Sequence, residues 1–283
     1  VNVGLNWVLI FGNLGAPALG AVGSAWGSSL SRWFMLFLLM AVAWSELRSS
    51  LVPLRREALA IAPLKRFLSV GLPIGTQQWL EFGVFGAAGL LMGLLGTIAV
   101  ASHQVALQLA ALTFMIPVGV AQATGVVVGQ AVGREDPAGA RRAVGAGIAS
   151  ASAFMAFTAV MFLTVPGPLA RVFSNDATVV AAAAALLPIA GVFQVFDGLQ
   201  VAAAGALRGI GDTRVPMLLN LFGFWLVGLP TCALLGFRTD LGPLGVWWGL
   251  ALGIGVVAVL LVLRIRRRFG RELRRLVIED DPV

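Results

Sequence analysis

The sequence predicts an all-α polytopic membrane protein with eight transmembrane helices, and three observations carry that reading. The 283-residue chain is 59% hydrophobic and 12% charged, where a soluble domain holds about 25% charged residues. Its apolar residues fall into runs long enough to cross a bilayer, separated by short polar or Gly/Pro-rich breaks. Its basic residues crowd into alternate breaks. Apolar content of this order is buried in lipid rather than in a soluble core. The formal net charge of +7 does not point to nucleic acid, because the basic side chains flank apolar runs as they do beside an anionic inner leaflet. The single cysteine, Cys232, excludes an intramolecular disulfide and a cysteine metal cluster and reads as an apolar filler.

Apolar stretches fall at 1–14, 18–45, 68–95, 99–131, 143–165, 178–206, 214–236 and 242–264. The breaks between them carry turn chemistry: Gly12 to Pro17, Gly133-Arg134-Glu135-Asp136-Pro137, Pro166-Gly167-Pro168 and Gly209-Ile210-Gly211-Asp212. The longer basic connection at 47–67 is dotted with arginine and reads as a helix lying along the interface. The tail at 265–283 is also basic. All but three of the 20 Lys and Arg residues lie after the second, fourth, sixth and eighth stretches; the exceptions are Arg171, Arg238 and Arg32. This alternation predicts that both ends of the chain are cytoplasmic and that the membrane is a cell inner membrane.

Two acids interrupt the apolar pattern. Glu81, in Thr76-Gln77-Gln78-Trp79-Leu80-Glu81-Phe82, is the only charged residue between Leu68 and Leu95. At about 1.5 Å per residue it lies roughly 20 Å from Leu68, near mid-membrane. Asp197 occupies the same place in the run from Val179 to Leu207, and the two depths agree to roughly 5 Å. A carboxylate at that depth costs several kcal/mol unless protonated, paired or hydrated, and so marks an ion or proton site. Gln77 and Gln78 stand one turn before Glu81, and Gln194, Asp197 and Gln200 share a face at three-residue spacing. The competing reading of each acid is a hydrogen-bonded lock between two helices.

Arg32 is the only base inside a helix; it is either a counter-ion or a side chain that reaches for the interface. His103, with Gln104 and Gln108, begins the fourth helix and reads as an interfacial hydrogen-bonder. Pro117 lies deep in that helix, where a break can act as a hinge. No aspartate cluster for a metal-dependent transferase, no second histidine for a zinc or haem site, and no glycine-rich phosphate loop is present, so the residues indicate neither an enzyme nor an ATP-driven machine. No resident cofactor is implied.

An internal echo bears on organisation. Leu19-Gly20-Ala21-Val22-Gly23-Ser24-Ala25-Trp26-Gly27 matches Leu241-Gly242-Pro243-Leu244-Gly245-Val246-Trp247-Trp248-Gly249, each after an asparagine-bearing helix, with Asn6 in one case and Asn220 in the other. Read as a repeat, helices one and two correspond to seven and eight. Four further helices would then precede Val1. Glycine-rich helix interfaces are common in membranes and supply the alternative.

Val100-Ala101-Ser102-His103-Gln104-Val105-Ala106-Leu107, Phe114-Met115-Ile116-Pro117 and Gly129-Gln130-Ala131-Val132-Gly133 resemble the multidrug and toxic compound extrusion (MATE) family, NorM-like branch. So do Gly71-Leu72-Pro73 leading to Glu81, and Phe196-Asp197-Gly198-Leu199-Gln200 leading to Arg208-Gly209-Ile210-Gly211-Asp212. The resemblance implies two six-helix lobes facing a cavity and cation-coupled efflux of amphipathic, often cationic compounds. On that pattern 1–46 holds the last two helices of a first lobe, 47–67 connects the lobes, 68–264 is the second lobe, and 265–283 is the tail. Glu81 and Asp197 match the family's cation-site acids and would hold Na+ as metal ligands, or H+. Gln77, Gln78, Phe193, Gln194, Gln200 and Arg32 would line or support the cavity. Phe193 replaces a tyrosine found in some relatives, which leaves sodium and protons both open. The partners implied are small drugs or toxic compounds, membrane lipid and the absent first-lobe helices. A lipid-linked oligosaccharide flippase of the same superfamily and a non-transporting membrane scaffold are the competing functions.

Overall fold

The computed structural model describes residues 1–51 and 61–270, and those residues are helical almost throughout. In order they form α1 (Asn2–Phe11), a 3₁₀ turn (Asn13–Gly15), α2 (Gly20–Leu51), α3 (Ile61–Leu95), α4 (Thr97–Gly133), α5 (Pro137–Thr164), α6 (Pro166–Arg171), α7 (Ala177–Gly209), α8 (Arg214–Asn220), a π-helical segment (Leu221–Gly228), α9 (Leu229–Phe237) and α10 (Pro243–Phe269). α8, the π segment and α9 together make one span, Arg214–Phe237. Seven of the described helices are long and apolar enough to cross a membrane. The expected first span over 1–14 is instead the ten-residue α1, about 15 Å long, roughly half of what a crossing needs. Residues 52–60 of the expected interfacial helix and the tail from 271 onward lie outside the described residues. Around that connection, α2 continues to Leu51 and α3 begins at Ile61.

The chain divides into two compact units at Lys65 and Arg66. In the first unit, α1 and α2 pack as a hairpin. Gly12 ends α1 in the left-handed conformation, φ 73°, with its N–H on the Val8 carbonyl. In the second unit α7 is the hub, packed against α4, α5, α6 and α10. Its residues from Val201 to Leu207 are all buried. α10 closes over α7 on one side and over the π segment and α9 on the other.

Local chemistry explains several boundaries. α5 starts earlier than the apolar pattern suggests because Asp136 accepts a hydrogen bond from Gly139 N (2.7 Å) and Pro137 opens the first turn. Glu135, within the expected turn, supplies its left-handed residue, φ 57°. Asp176 caps α7; the hydroxyl and N–H of Thr178 and the N–H of Val179 hold its carboxyl below the ordinary range. At the far end of α7, Asp212 Oδ2 receives Arg264 (2.8 and 2.9 Å) and Arg268 (3.2 Å), which ties the α7–α8 turn to the end of α10.

The two glycine motifs pack alike within their own hairpins. A Cβ on Gly23 would strike the Leu9 carbonyl, and one on Gly245 would strike the Leu235 carbonyl. A Cβ on Gly27 would meet Asn6, and one on Gly249 would meet Cys232. Asn6 and Cys232 are therefore the equivalent positions, not Asn6 and Asn220, and Cys232 Sγ donates to the Val246 carbonyl at 3.2 Å.

The seam between α4 and α7 is closer still. Gly205 lies on the Ala121 carbonyl, Gly209 on the Gly125 carbonyl, and Gly129 faces the Gly209 carbonyl. Between membrane helices small residues give this approach and the packing energy that comes with it. Gly205→Val is expected to lower stability by about 1–3 kcal/mol, the usual cost of overpacking. Gly86→Ala, on α3 with open space around the new methyl, should be neutral or stabilising by up to about 1 kcal/mol. Thermal unfolding of the full-length protein in detergent checks both; equal midpoints for the two variants would refute the seam.

Candidate functional site

On α7, Gln194, Asp197 and Gln200 are all buried, Asp197 at 6% exposure. A polar stripe that would be intolerable toward lipid is thus turned inward by the packing around α7. On α3, Gln77 is buried at 1% and Glu81 half-buried. Gln78, expected beside them, is exposed. One residue turns the helix by about 100°, which takes it off the face shared by Gln77 and Glu81.

Glu81 and Asp197 are near enough to interact electrostatically, and the Gln200 side chain is within hydrogen-bonding reach of the Glu81 carboxylate. Gln200 Nε2 also reaches Asn220 Oδ1 at 3.5 Å. Among the described residues, the Asp197 carboxylate carries no hydrogen bond from a donor. Gln194 Nε2 donates to Thr113 Oγ1 on α4. One amide, Gln200, therefore stands by Glu81, and among the described residues no salt bridge neutralises either acid.

Two contributors were not visible as such in the sequence. Arg208, counted among the inner-flank bases, is half-buried, interacts electrostatically with Glu81 and has a buried Nε with no hydrogen-bond partner among the described residues. Its signal was the eleven-residue step from Asp197, three helical turns, which puts both on one face. It lines a cavity of about 430 Å³ with Gln122, Gln130 and the seam glycines Gly125, Gly129, Gly205 and Gly209. Asn220 is fully buried at the entry to the π segment. The wider π turn swings Trp225 over Gly83, where its Nε1 donates to the Leu80 carbonyl at 3.0 Å, one residue before Glu81.

Phe193 does not join the polar stripe. It is buried and meets Phe85 and Trp247 edge-on, at 5.8 and 6.0 Å between ring centroids. His103, expected at the interface, is buried against Trp247 (5.7 Å), and neither ring nitrogen has a partner among the described residues. Gln104 and Gln108 are exposed. Arg32 belongs to the first unit and is exposed on α2. A larger cavity, about 650 Å³ and lined by apolar residues such as Phe196, Trp248 and Leu252, contains neither acid. Among the described residues no three His, Cys, Asp or Glu side chains cluster as a metal centre.

A family model described as MatE matches residues 73–234. A protein of Rhodopseudomonas palustris called probable multidrug resistance protein NorM is 45% identical over 273 residues, covering 94% of this chain and 58% of its own length. The multidrug resistance protein PmpM of Pseudomonas aeruginosa is 39% identical, covering 99% of this chain and 61% of its own length. The chain thus spans about three fifths of the curated relatives it matches. Among solved structures, a eukaryotic MATE transporter superposes with a TM-score of 0.86 at 24% identity, over 98% of this chain and 62% of that one. A multidrug resistance MATE family transporter of the MOP superfamily in an outward-facing conformation gives 0.83 at 22% identity, over 95% of this chain and 60% of that one. These structural likenesses establish the fold.

Trp225→Phe keeps an aromatic ring, smaller than the indole, and removes the donor to Leu80. It should cost about 0.5–1.5 kcal/mol, the net worth of one hydrogen bond, seen as a lower unfolding midpoint of the full-length protein. An unchanged midpoint would show that the π segment does not brace the Glu81 turn.

Proposed function

Because this chain belongs to the MatE family, we propose that it is part of a secondary active transporter that expels small amphipathic, often cationic compounds in exchange for Na+ or H+. The single observation that carries this reading is the meeting of Glu81 and Asp197, from two different spanning helices, in one amide-bordered cluster. Such a cluster is costly in a membrane and is retained where ions or protons move. The names of the relatives, multidrug resistance proteins, support the substrate class.

In this reading 1–46 supplies the last two helices of a first lobe and 68–264 a second, six-helix lobe, in a cell inner membrane with cytoplasmic flanks rich in Lys and Arg. With the cavity open outward, the cation loads on Glu81 and Asp197 and favours the state that releases the drug. Return to the inward-facing state delivers the cation to the cytoplasm. The cation shifts this equilibrium only by its different affinity for the two states. Gln200 stands by Glu81 without neutralising it, and Gln77 and Gln194 are buried on the same helices as the acids. The same negative charge attracts cationic drugs, so ion and drug compete.

The test is Glu81→Gln and Asp197→Asn in the full-length transporter. Each keeps the side-chain shape and removes the charge, and each is expected to reduce gradient-driven efflux of a cationic dye to background at wild-type expression. Normal efflux by both variants would overturn the assignment.

A further inference from the structure

Arg208 is the last residue but one of α7, a place from which a long basic side chain ordinarily reaches the membrane surface and keeps its charge in water. Here the residue is half-buried, its Nε is buried with no hydrogen-bond partner among the described residues, and it lines the cavity of about 430 Å³ between α4 and α7. Helical side chains lean toward the N-terminus of their own helix, which for Arg208 is the direction of Gln200 and Asp197. An arginine stays charged at any working pH. A fixed positive charge is thus turned back into the bundle.

The acid nearest to it in the chain is already taken. Asp212, four residues on, is buried and receives both Arg264 (2.8 Å) and Arg268 (3.2 Å). The acid that Arg208 interacts with electrostatically is Glu81 of α3. Gln200, the amide within hydrogen-bonding reach of Glu81, precedes Arg208 by eight residues, about 12 Å of helical rise. Asp197 faces the charge of Glu81. Among the described residues Arg208 and Glu81 form no salt bridge, so acid and base influence each other without closing.

The cavity gives the base somewhere else to be. Four glycines and the amides Gln122 and Gln130 line it, and Arg208 is the one charged group among its lining residues. The guanidinium can occupy this space or leave it without breaking an ion pair. A coupling cation acts only through its different affinity for two states. A tethered positive charge that nears Glu81 in one of them creates such a difference, because like charges repel strongly where screening is poor.

We propose that Arg208 is the release group of the transporter, a positioning residue that stays in the α4–α7 cavity while the coupling cation is held and moves toward Glu81 to expel it at the inner face. The inference rests on the cation-coupled reading above and adds the group that empties the site.

The test uses the full-length transporter in proteoliposomes, reading efflux of a cationic dye against the activity of Na+ or of H+, each imposed alone. Arg208→Gln removes the charge. The half-saturating activity of the driving cation is expected to fall by about tenfold, and the maximal rate to fall with it, since the ion binds more tightly and leaves more slowly. Damage to the fold lowers the rate without tightening the ion, so an unchanged or higher half-saturating activity overturns the proposal. Arg208→Lys keeps a positive charge and should stay closer to the parent than Arg208→Gln does; equal shifts in the two would also overturn it. Gln130→Glu leaves Arg208 in place and gives it an acid in the cavity, one turn before the end of α4. It should lower the half-saturating activity as Arg208→Gln does, and it decides alone should the Arg208 variants fail to fold. Normal efflux by Glu81→Gln and Asp197→Asn would bring down the coupled reading itself. Loss of efflux in those two, with half-saturation unmoved in Arg208→Gln, brings down the release group only.

Discussion

The contact on which the second unit depends is backbone on backbone: the glycines of α7 lying on the carbonyls of α4. In lipid there is little hydrophobic gain in bringing two apolar helices together, so close packing and interhelical hydrogen bonds must supply the association. Gly205 and Gly209 permit that approach because nothing projects from them toward Ala121 and Gly125. Once the seam is closed its register cannot slip, since any shift drives a side chain into a carbonyl. That register pairs Gln194 with Thr113. It also shapes the cavity that Arg208 shares with Gln122 and Gln130. The site is a consequence of the seam.

The charges divide by how completely they are answered. Asp212 is almost wholly buried and takes both Arg264 and Arg268, which makes it a clamp at the end of α7 and α10. Its neutralisation is local and leaves those two bases unavailable to the other acids. Glu81 is met by the Gln200 amide and, at longer range, by Arg208, while Asp197 faces only the charge of Glu81. Breaking a saturated pair exposes an uncompensated charge and costs stability. An unsaturated pair has no such partner to lose, and on the reading proposed above it is free to take a cation. The contrast separates the acid that ties α7 to α10 from the two proposed to carry the coupling ion.

The membrane class, the positions of both acids and the glutamines beside them were legible because charge and amides stand out against long apolar runs. Burial direction was less so. Gln77 and Gln78 are neighbours in sequence, yet one is buried and the other exposed, because the face that α3 turns inward is decided by its partners. Arg208 was sorted with the inner-flank bases because counting charges per loop ignores where a long side chain reaches. His103 opens a helix and so read as interfacial; the packing of Trp247 and Phe193 across it is a tertiary fact. The π segment around Trp225 has no sequence signature beyond its apolar residues. Nor did the glycine echo reveal that Cys232, rather than Asn220, stands where Asn6 does.

Prolines illustrate why the remainder needed coordinates. α7 and α4 each contain one, Pro188 and Pro117, and each must leave the carbonyl four residues earlier without its helical partner. In an apolar medium such a carbonyl has to be met by something, so every proline is a possible ligand-maker. Pro188 precedes Asp197 by nine residues, two and a half turns, and so stands on the opposite face of α7 from the acid. Pro117 is buried in α4, four residues after Thr113, the residue that meets Gln194 of α7. The two residues are chemically identical, and what separates them is register. A bundle of regular helices satisfies its own backbone and offers an ion nothing. This one departs from regularity at its prolines and in the π segment, where backbone groups freed from their own helix must find partners on neighbouring ones.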